Sequence, residues 1–397
     1  MSTPICDFVR GYCESVLLRL HMPGHKGRGE LGCEALDITE VPGADDLACP
    51  EGVILESEAN TTELFGSRHS FYCTGGSSQC VKAMLHLAYL FRPEGTGNCI
   101  LAARNAHKSF LHGCALLGLE PRWLYPEAGT PLCSCPVSPA ALERALQTGE
   151  RPFAVYITSP DYLGGVQDIS ALAEVCHRHG LPLLVDNAHG AYLKFLEPSR
   201  HPLDLGADMC CDSAHKTLPV LTGGAYLHVS ERAQAAFEAE ARHSLAVFGS
   251  SSPSYLILQS LDLCADRLDK DYPALIRATE RKVAELAREL GLQPPAGDPL
   301  KLAIPSCDFG CTGFELASCL RDWRTVAEYA DEDWLVLLFS PGLGEGAFEH
   351  VRRAMPLRRP GSRKPRRLPG PGECLPHPRA APTARRWRDT THDSARS

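Results

Sequence analysis

The stretch SAHKTL, residues 213–218, puts a lysine next to a histidine and between two hydroxyls, directly after the apolar, strand-like run ADMCC. Lysine is seldom buried unless something pairs with it. Desolvation and neighbouring cations would lower the pKa of Lys216 and free its amine to form an imine with an aldehyde cofactor. The plainer reading is a surface lysine in a loop. Ser213 and His215 are spaced to reach a phosphate or a substrate carboxylate. In DNAHGA, residues 186–191, Asp186 follows the apolar run LPLLV. An ionised carboxylate at a strand end needs a partner, and a protonated pyridine nitrogen would serve, the acid keeping that ring electron-poor. A helix cap or a metal ligand are the alternatives. Ala188 would let a flat ring approach closely. TGGSS, residues 74–78, sets Gly76, Ser77 and Ser78 at a helix start, where free amides and the helix dipole favour a phosphate; a glycine turn with a serine cap reads equally well. It is not a Walker motif, because Lys82 stands in no GK[ST] sequence. His107 in RNAHKS offers a flat ring for stacking, or is simply a histidine at a helix start. A phosphate cradle, a stacking ring, a pyridine acid and an imine lysine, in that chain order, are what pyridoxal 5'-phosphate requires.

These residues need a scaffold that brings them to one edge. SSQCVKAMLHLAYLF carries Val81, Met84, Leu85, Ala88 and Tyr89 at helical spacing. NCILAA, PFAVYIT, LPLLVDN, ADMCCDSA and GGAYLHV read as strands. They alternate with helices from His107 to Leu117 and over DISALAEVCHRHG. Such alternation predicts an α/β fold with a mainly parallel sheet covered on both faces. Ligands of such sheets sit beyond the carboxyl ends of the strands, where TGGSS, RNAHKS, TSPDYLGG, DNAHGA and SAHK all fall. The Gly- and Pro-rich first sixty residues argue against long elements there. Residues 231–289 read as helical, and the ordered remainder as a small α+β domain. The expected division is an N-terminal arm over 1–60, a cofactor-binding large domain over 61–235, linker helices and a small domain over 236–355, and a basic tail over 356–397.

The totals bound the rest. The chain has 397 residues, 44% of them hydrophobic, enough for a sizeable core. No apolar run reaches 18 residues, and the N-terminus lacks the basic-then-apolar order of a signal peptide, so a cytoplasmic location is expected. Eighteen cysteines are scattered without a CxxC or a zinc spacing, which points to reduced core thiols and no metal. The net charge of −8 hides an asymmetry: residues 351–397 hold 13 Lys/Arg against 3 Asp/Glu, leaving 27 against 45 before them. An acidic body disfavours nucleic acid as a partner. The Pro/Arg-rich tail has no apolar period and reads as disordered.

The stretches HMPGHKG (21–27), TEVPGADDL (39–47), TGGSS, RNAHKS (104–109), ITSPDYLGG (157–165), DNAHGA and SAHK together resemble the bacterial ornithine/lysine/arginine decarboxylase family, over residues 15 to about 235. The resemblance implies the fold type I architecture of pyridoxal-phosphate enzymes, and a decarboxylase of lysine, arginine or ornithine working through a quinonoid intermediate and feeding polyamine synthesis. It also implies a homodimer or higher homo-oligomer, with His25 and Lys26 in a segment that helps to build it. By the same resemblance Lys216 holds the cofactor, Asp186 pairs with the pyridine nitrogen and His107 stacks on the ring and assists protonation. Gly76, Ser77, Ser78, Ser213 and His215 surround the phosphate, and Ala188 and His189 line the ring. Two departures stand out. The family's GTS[TA] turn is GGSS here, and its C-terminal PPG…PGE stretch is represented only by SPGLGEG (340–346), with Glu345 as the corresponding acid. Arg321 and Arg324 keep an aminotransferase or another lyase open as the alternative, and a non-catalytic homologue is the second.

Overall fold

Short apolar runs, each closed by a polar cluster, build the centre of the molecule. The computed structural model describes residues 1–356 apart from 16 and 345. The tail over 357–397 and Glu345 therefore lie outside the described residues. Seven strands form one sheet: β1 (His69–Cys73), β2 (Cys99–Ala103), β3 (Glu120–Leu124), β4 (Val155–Thr158), β5 (Leu183–Asp186), β6 (Met209–Asp212) and β7 (Ala225–Val229). Their order is β1-β7-β6-β5-β4-β2-β3. Pairing is parallel from β3 through β6, and β7 runs antiparallel to both neighbours. The expected mainly parallel α/β sheet is thus present. Strands β2, β4, β5, β6 and β7 coincide with the five runs read from sequence. β1 and β3 went unread because HSFYC and EPRWL interrupt their apolar residues with polar ones or proline.

Among the described residues twelve helices surround the strands. On one face α3 (Ser77–Leu90), α4 (Lys108–Leu117) and α8 (Ala235–Val247) pack Val81, Met84, Leu85, Phe110, Phe237 and Leu245 against the sheet. On the other, α5 (Pro139–Leu146) and α6 (Ile169–Arg178) bury Leu142, Leu172 and Val175 over β4 and β5. Burying one such aliphatic or aromatic side chain contributes about 2 kcal/mol. The short helix α7 (Ala214–Thr217) follows β6 and carries Lys216. Its companions around β1 and β7 are α1 (Pro4–Glu14), α2 (Val53–Phe65) and α9 (Tyr255–Asp269).

The expectation that the first sixty residues hold no long element is corrected here. α1 spans eleven residues and α2 thirteen. The buried stripe of α2 is Ile54, Ser57, Glu58, Thr61 and Phe65, helical in spacing but polar at its centre, so hydrophobic periodicity does not show it. Tertiary partners satisfy those groups. Ser57 donates to Asp262 Oδ1 at 2.6 Å, and Glu58 Oε1 accepts from Arg242 at 3.0 Å and from the Tyr72 amide at 2.8 Å. The Arg242 guanidinium holds the Glu58 carboxyl below its usual range despite complete burial.

The small domain rests on the long helix α10 (Tyr272–Glu289). It is an antiparallel sheet of β8 (Lys301–Pro305), β10 (Trp334–Leu338) and β9 (Tyr329–Ala330), backed by α11 (Gly313–Asp322) and α12 (Ala347–Ala354). Thr312 and Glu315 close α11 with a reciprocal capping box. Leu302, Ile304, Leu335, Leu316 and Val283 form its core. Among the described residues no helix is long and apolar enough to cross a membrane.

Candidate active site

Lys216 lies one turn beyond the end of β6, half-buried, with its Nζ 3.0 Å from His189 Nε2. Burial is the main reason its amine is held below the ordinary lysine value. Asp186 and Glu328 pull it back up, and Lys301 pushes it further down. His189 is buried, and its ring is driven well below the usual histidine value, first by desolvation and then by the charges of Lys301 and Lys216. The contact therefore joins two groups whose surroundings both oppose an added proton, a shift toward the form in which an amine is nucleophilic.

Asp186 closes β5, where the neighbouring strands β4 and β6 bury it. Its carboxylate accepts from the Tyr156 hydroxyl at 2.9 Å and the Ala188 amide at 3.2 Å, with the Cys211 thiol at 3.8 Å. Tyr156 is itself fixed by Phe110, ring centroids 4.4 Å apart. His107 is the N-cap of α4. Its Nδ1 accepts from the Ser109 amide at 3.2 Å and faces the Ser109 hydroxyl at 2.8 Å. Because an amide can only donate, a neutral His107 carries its proton on Nε2. Desolvation lowers the pKa of this ring, while the charge of Asp186 opposes the shift.

Gly76 begins α3 with φ +71°, a conformation that favours glycine, and no side chain caps the helix. A Cβ at Gly76 would meet nothing closer than 3.9 Å, so the space above the helix start is open. Ser213 donates to Ser77 Oγ at 2.7 Å, Ser78 and Ser109 share a hydrogen bond of 2.7 Å, and His215 Nδ1 lies 2.9 Å from the Gly224 carbonyl. These contacts draw α3, α4 and α7 to one point.

A cavity of about 330 Å³ opens between these elements. Six of the sequence-derived residues line it: Ser77, His107, Asp186, Ala188, His189 and Lys216. Gly76, Ser78, Ser213 and His215 stand beside it rather than in its wall. His25 and Lys26 are not among the lining residues, and neither are Arg321 and Arg324, which are exposed. The sequence reading missed Arg104, Asn105, Cys133, Thr158 and Tyr162 in the wall, although all but Cys133 sit inside motifs already quoted. Three lining groups are buried without a hydrogen-bond partner: the Asn105 amide, Thr158 Oγ1 and His189 Nδ1. Orphaned polar atoms around an open helix N-terminus, a strand-end carboxylate and a half-buried amine fit a ring bearing hydroxyl, aldehyde and phosphate groups. The residues present therefore suit pyridoxal phosphate.

Behind the strand ends, Asp212 Oδ2 accepts from His201 Nε2 at 3.0 Å and His228 Nε2 at 3.2 Å, and its Oδ1 accepts from Asn187 Nδ2 at 2.6 Å. His201, Cys210 and Asp212 have donor atoms within 4.8 Å of one another, yet the histidine nitrogens are already engaged by the carboxylate. The cluster joins Asp212 at the end of β6 to Asn187 just past β5, beside Asp186 and one turn before Lys216.

Residues 3–286 match the family described as Orn/Lys/Arg decarboxylase, major domain. An uncharacterized protein, YaaO of Bacillus subtilis (strain 168), is 31% identical over 365 residues, covering 86% of this chain and 75% of that one. The arginine decarboxylase of Halalkalibacterium halodurans is 29% identical over 382 residues, 89% of this chain and 76% of the relative. The solved constitutive lysine decarboxylase of E. coli superposes with a TM-score of 0.73 at 19% identity, over 89% of this chain and 60% of that one. The chain thus spans about 60% of the length of that solved lysine decarboxylase. The structural likeness fixes the fold as type I of the pyridoxal-phosphate enzymes.

Proposed function

Because the chain belongs to the ornithine/lysine/arginine decarboxylase family, we propose that it is a pyridoxal-phosphate-dependent decarboxylase of a basic L-amino acid, one of lysine, arginine or ornithine. The observation that carries this reading is the Lys216 amine, held below its ordinary pKa in a cavity it shares with Asp186. Relatives named arginine decarboxylase support it.

In this reading Lys216 Nζ holds the cofactor aldehyde, and Asp186 holds the proton of its pyridine nitrogen. His107, Ala188 and His189 would line the ring, Ala188 leaving it room with no more than a methyl group. Ser77, Ser78, Ser213, His215 and the amides following Gly76 take the phosphate, which the positive end of the α3 dipole favours. When bound, the cofactor supplies a protonated ring that takes up the electron pair left on Cα as CO2 departs. Lys216 Nζ or His107 Nε2 then delivers the proton that replaces CO2 on Cα. Tyr156 keeps Asp186 oriented for this work.

The preference for a basic substrate has its own support. Glu328, next to Tyr329 of β9, acts electrostatically on both Lys216 and the Tyr162 phenol. A carboxylate on that side of the cavity suits a substrate whose far end is cationic. The domain division read from sequence stays a proposal, with its boundary at 60/61 falling inside α2 and α8 packing on the large sheet, and a homodimer belongs to the same reading. Leu17, Leu18, Leu20 and Met22 are 60–83% exposed in the N-terminal segment, which suits an arm lying against a second copy.

The test is to purify the full chain with pyridoxal phosphate, record its visible absorbance, and assay CO2 release from lysine, arginine and ornithine separately. A cofactor band that is absent in Lys216→Ala, with CO2 from one of the three, is expected. A band without CO2 from any of them would reject decarboxylation of these substrates while keeping the cofactor.

A further inference from the structure

A lysine wholly removed from water needs a reason, since its charge costs several kcal/mol unless it is paired. Lys301, the first residue of β8, is 1% exposed. Its Nζ lies 3.4 Å from Asp298 Oδ2 and donates to the Asp161 carbonyl at 3.0 Å. Asp298 is held in turn. Its Oδ1 accepts from the Tyr192 hydroxyl and from the Leu300 amide at 3.1 Å, and its own amide donates to Gly164 O at 2.8 Å. The Asp161 side chain accepts from the amides of Leu163 and Gly165, at 2.9 and 2.8 Å, and from Ser134 Oγ. At Gly164, where φ is +88°, a Cβ would stand 3.4 Å from Asp298 Cβ and 3.7 Å from the Lys301 side chain. The loop 160–165 is therefore clamped to the small domain on one side and to residue 134 on the other. That loop carries Pro160 and Tyr162 of the cavity wall. The Tyr162 ring stands edge-on to His189, centroids 5.1 Å apart, and His189 meets Lys216.

We propose that Lys301 is a positioning residue of the site: its side chain, delivered by the small domain and paired with Asp298, locks loop 160–165 in place and sets a cation behind His189 that disfavours a second positive charge on Lys216. The inference rests on the role proposed for Lys216. Asp186 from β5, Glu328 beside β9 and Cys211 from β6 all favour the charged form of Lys216, and Lys301 is the cation that opposes them. The nearby rings of His189 and His107 are both driven toward neutrality, so neither supplies a lasting opposing charge. Lys301 acts on His189 more strongly than any other charge around that ring. It stands on the three-stranded sheet, apart from every residue the sequence assigned to the cofactor, so the surroundings of Lys216 depend on where β8 lies.

The experiment reads Lys216 directly in the full-length apo chain. Lysines are reductively methylated with 13C, the Lys216 signal is assigned by its loss in Lys216→Arg, and its shift is followed against pH. Lys301→Gln keeps a donor for the Asp161 carbonyl but removes the charge, and it should raise the Lys216 midpoint by about one pH unit. Lys301→Arg should leave the midpoint at the wild-type value. An unchanged midpoint in a folded Lys301→Gln chain overturns the proposal. Should that variant not fold, the Lys301 signal, assigned by its loss in Lys301→Arg, is followed in the unsubstituted chain: it must stay protonated through the Lys216 midpoint, and a Lys301 that loses its proton first overturns the proposal equally. The readout needs no turnover. A shifted midpoint in a chain that releases no CO2 would sink the decarboxylase reading and spare this one, and active enzyme with an unshifted midpoint would do the reverse.

Discussion

Replacing Asp212 tests how the strand ends are held, and two substitutions should differ sharply. In the wild-type chain three buried donors converge on this carboxylate: His201 Nε2, His228 Nε2 and Asn187 Nδ2. Asp212→Ala leaves all three without an acceptor. At about 1–3 kcal/mol for each stranded buried donor, and with some relief from histidine tautomers, the loss comes to about 4–6 kcal/mol. Asp212→Asn behaves otherwise, because Asn187 Oδ1 is buried without a partner. A half-turn of the Asn187 amide lets that oxygen accept from the new NH2 group, while the new carbonyl accepts from both histidines. The rotation leaves the Asn187 NH2 group where its unpartnered oxygen had been, one orphaned group replacing another, so the net loss is mainly charge assistance, about 1–2 kcal/mol. With an unfolding entropy near 2.1 cal/mol/K per residue, the chain gives about 0.8 kcal/mol/K, so Tm should fall by about 5–8 °C for Ala and about 2 °C for Asn. The assay is a thermal melt with a matching urea titration. The histidine pair holds the Asp212 carboxyl below the usual carboxylate range despite its burial. Its contribution is therefore full above the unfolded-state pKa of about 4 and is lost as pH falls through the folded value. The gap between wild type and Asn should persist from pH 6 to 8 and shrink below about pH 4. Equal losses for Ala and Asn would refute the amide rotation, and a mild Ala variant would refute the network. Since Asn187 follows Asp186 and Asp212 precedes Ser213, cofactor affinity should weaken with Ala and hold with Asn.

Three further outcomes follow from the site. Asp186→Asn should retain some cofactor but lose on the order of a hundredfold or more in kcat, because the pyridine proton loses its counter-charge; a steady-state assay with saturating pyridoxal phosphate checks this. Glu328→Gln should raise KM for a basic amino acid about tenfold, as expected of a solvent-exposed carboxylate facing a cationic substrate, and should lower the Lys216 midpoint, because Glu328 favours the charged amine. An unchanged KM would remove Glu328 from substrate binding. Gly76→Ala must accommodate φ +71°, a strain of about 1–2 kcal/mol. It should lower both Tm and affinity for pyridoxal phosphate without altering the Lys216 titration.

Much of the molecule was legible in order along the chain. The apolar runs of β2, β4, β5, β6 and β7, and the 3.6-residue period of α3, α4 and α6, are local signals, and in a parallel sheet the residues just past each strand share one edge. That geometry is why Ser77, His107, Asp186, Ala188, His189 and Lys216 were found together before their positions were known. The same logic fails where burial is polar. α2 hides Ser57, Glu58 and Thr61 behind Tyr72, Arg242 and Asp262, and no local pattern marks a helix whose buried face is satisfied by residues up to 205 positions away.

The sequence by itself thus determined the fold class and the strand edge at which the cavity residues, Lys216 among them, come together. Only the tertiary structure decided the charge state around that amine. Tyr156 under Asp186, Glu328 and Lys301 on the small domain, and the Asp212 pair of histidines act through distances of a few ångströms between residues far apart in the chain. Electrostatic and hydrogen-bond energies depend on separation and burial, and neither is written in spacing along a sequence.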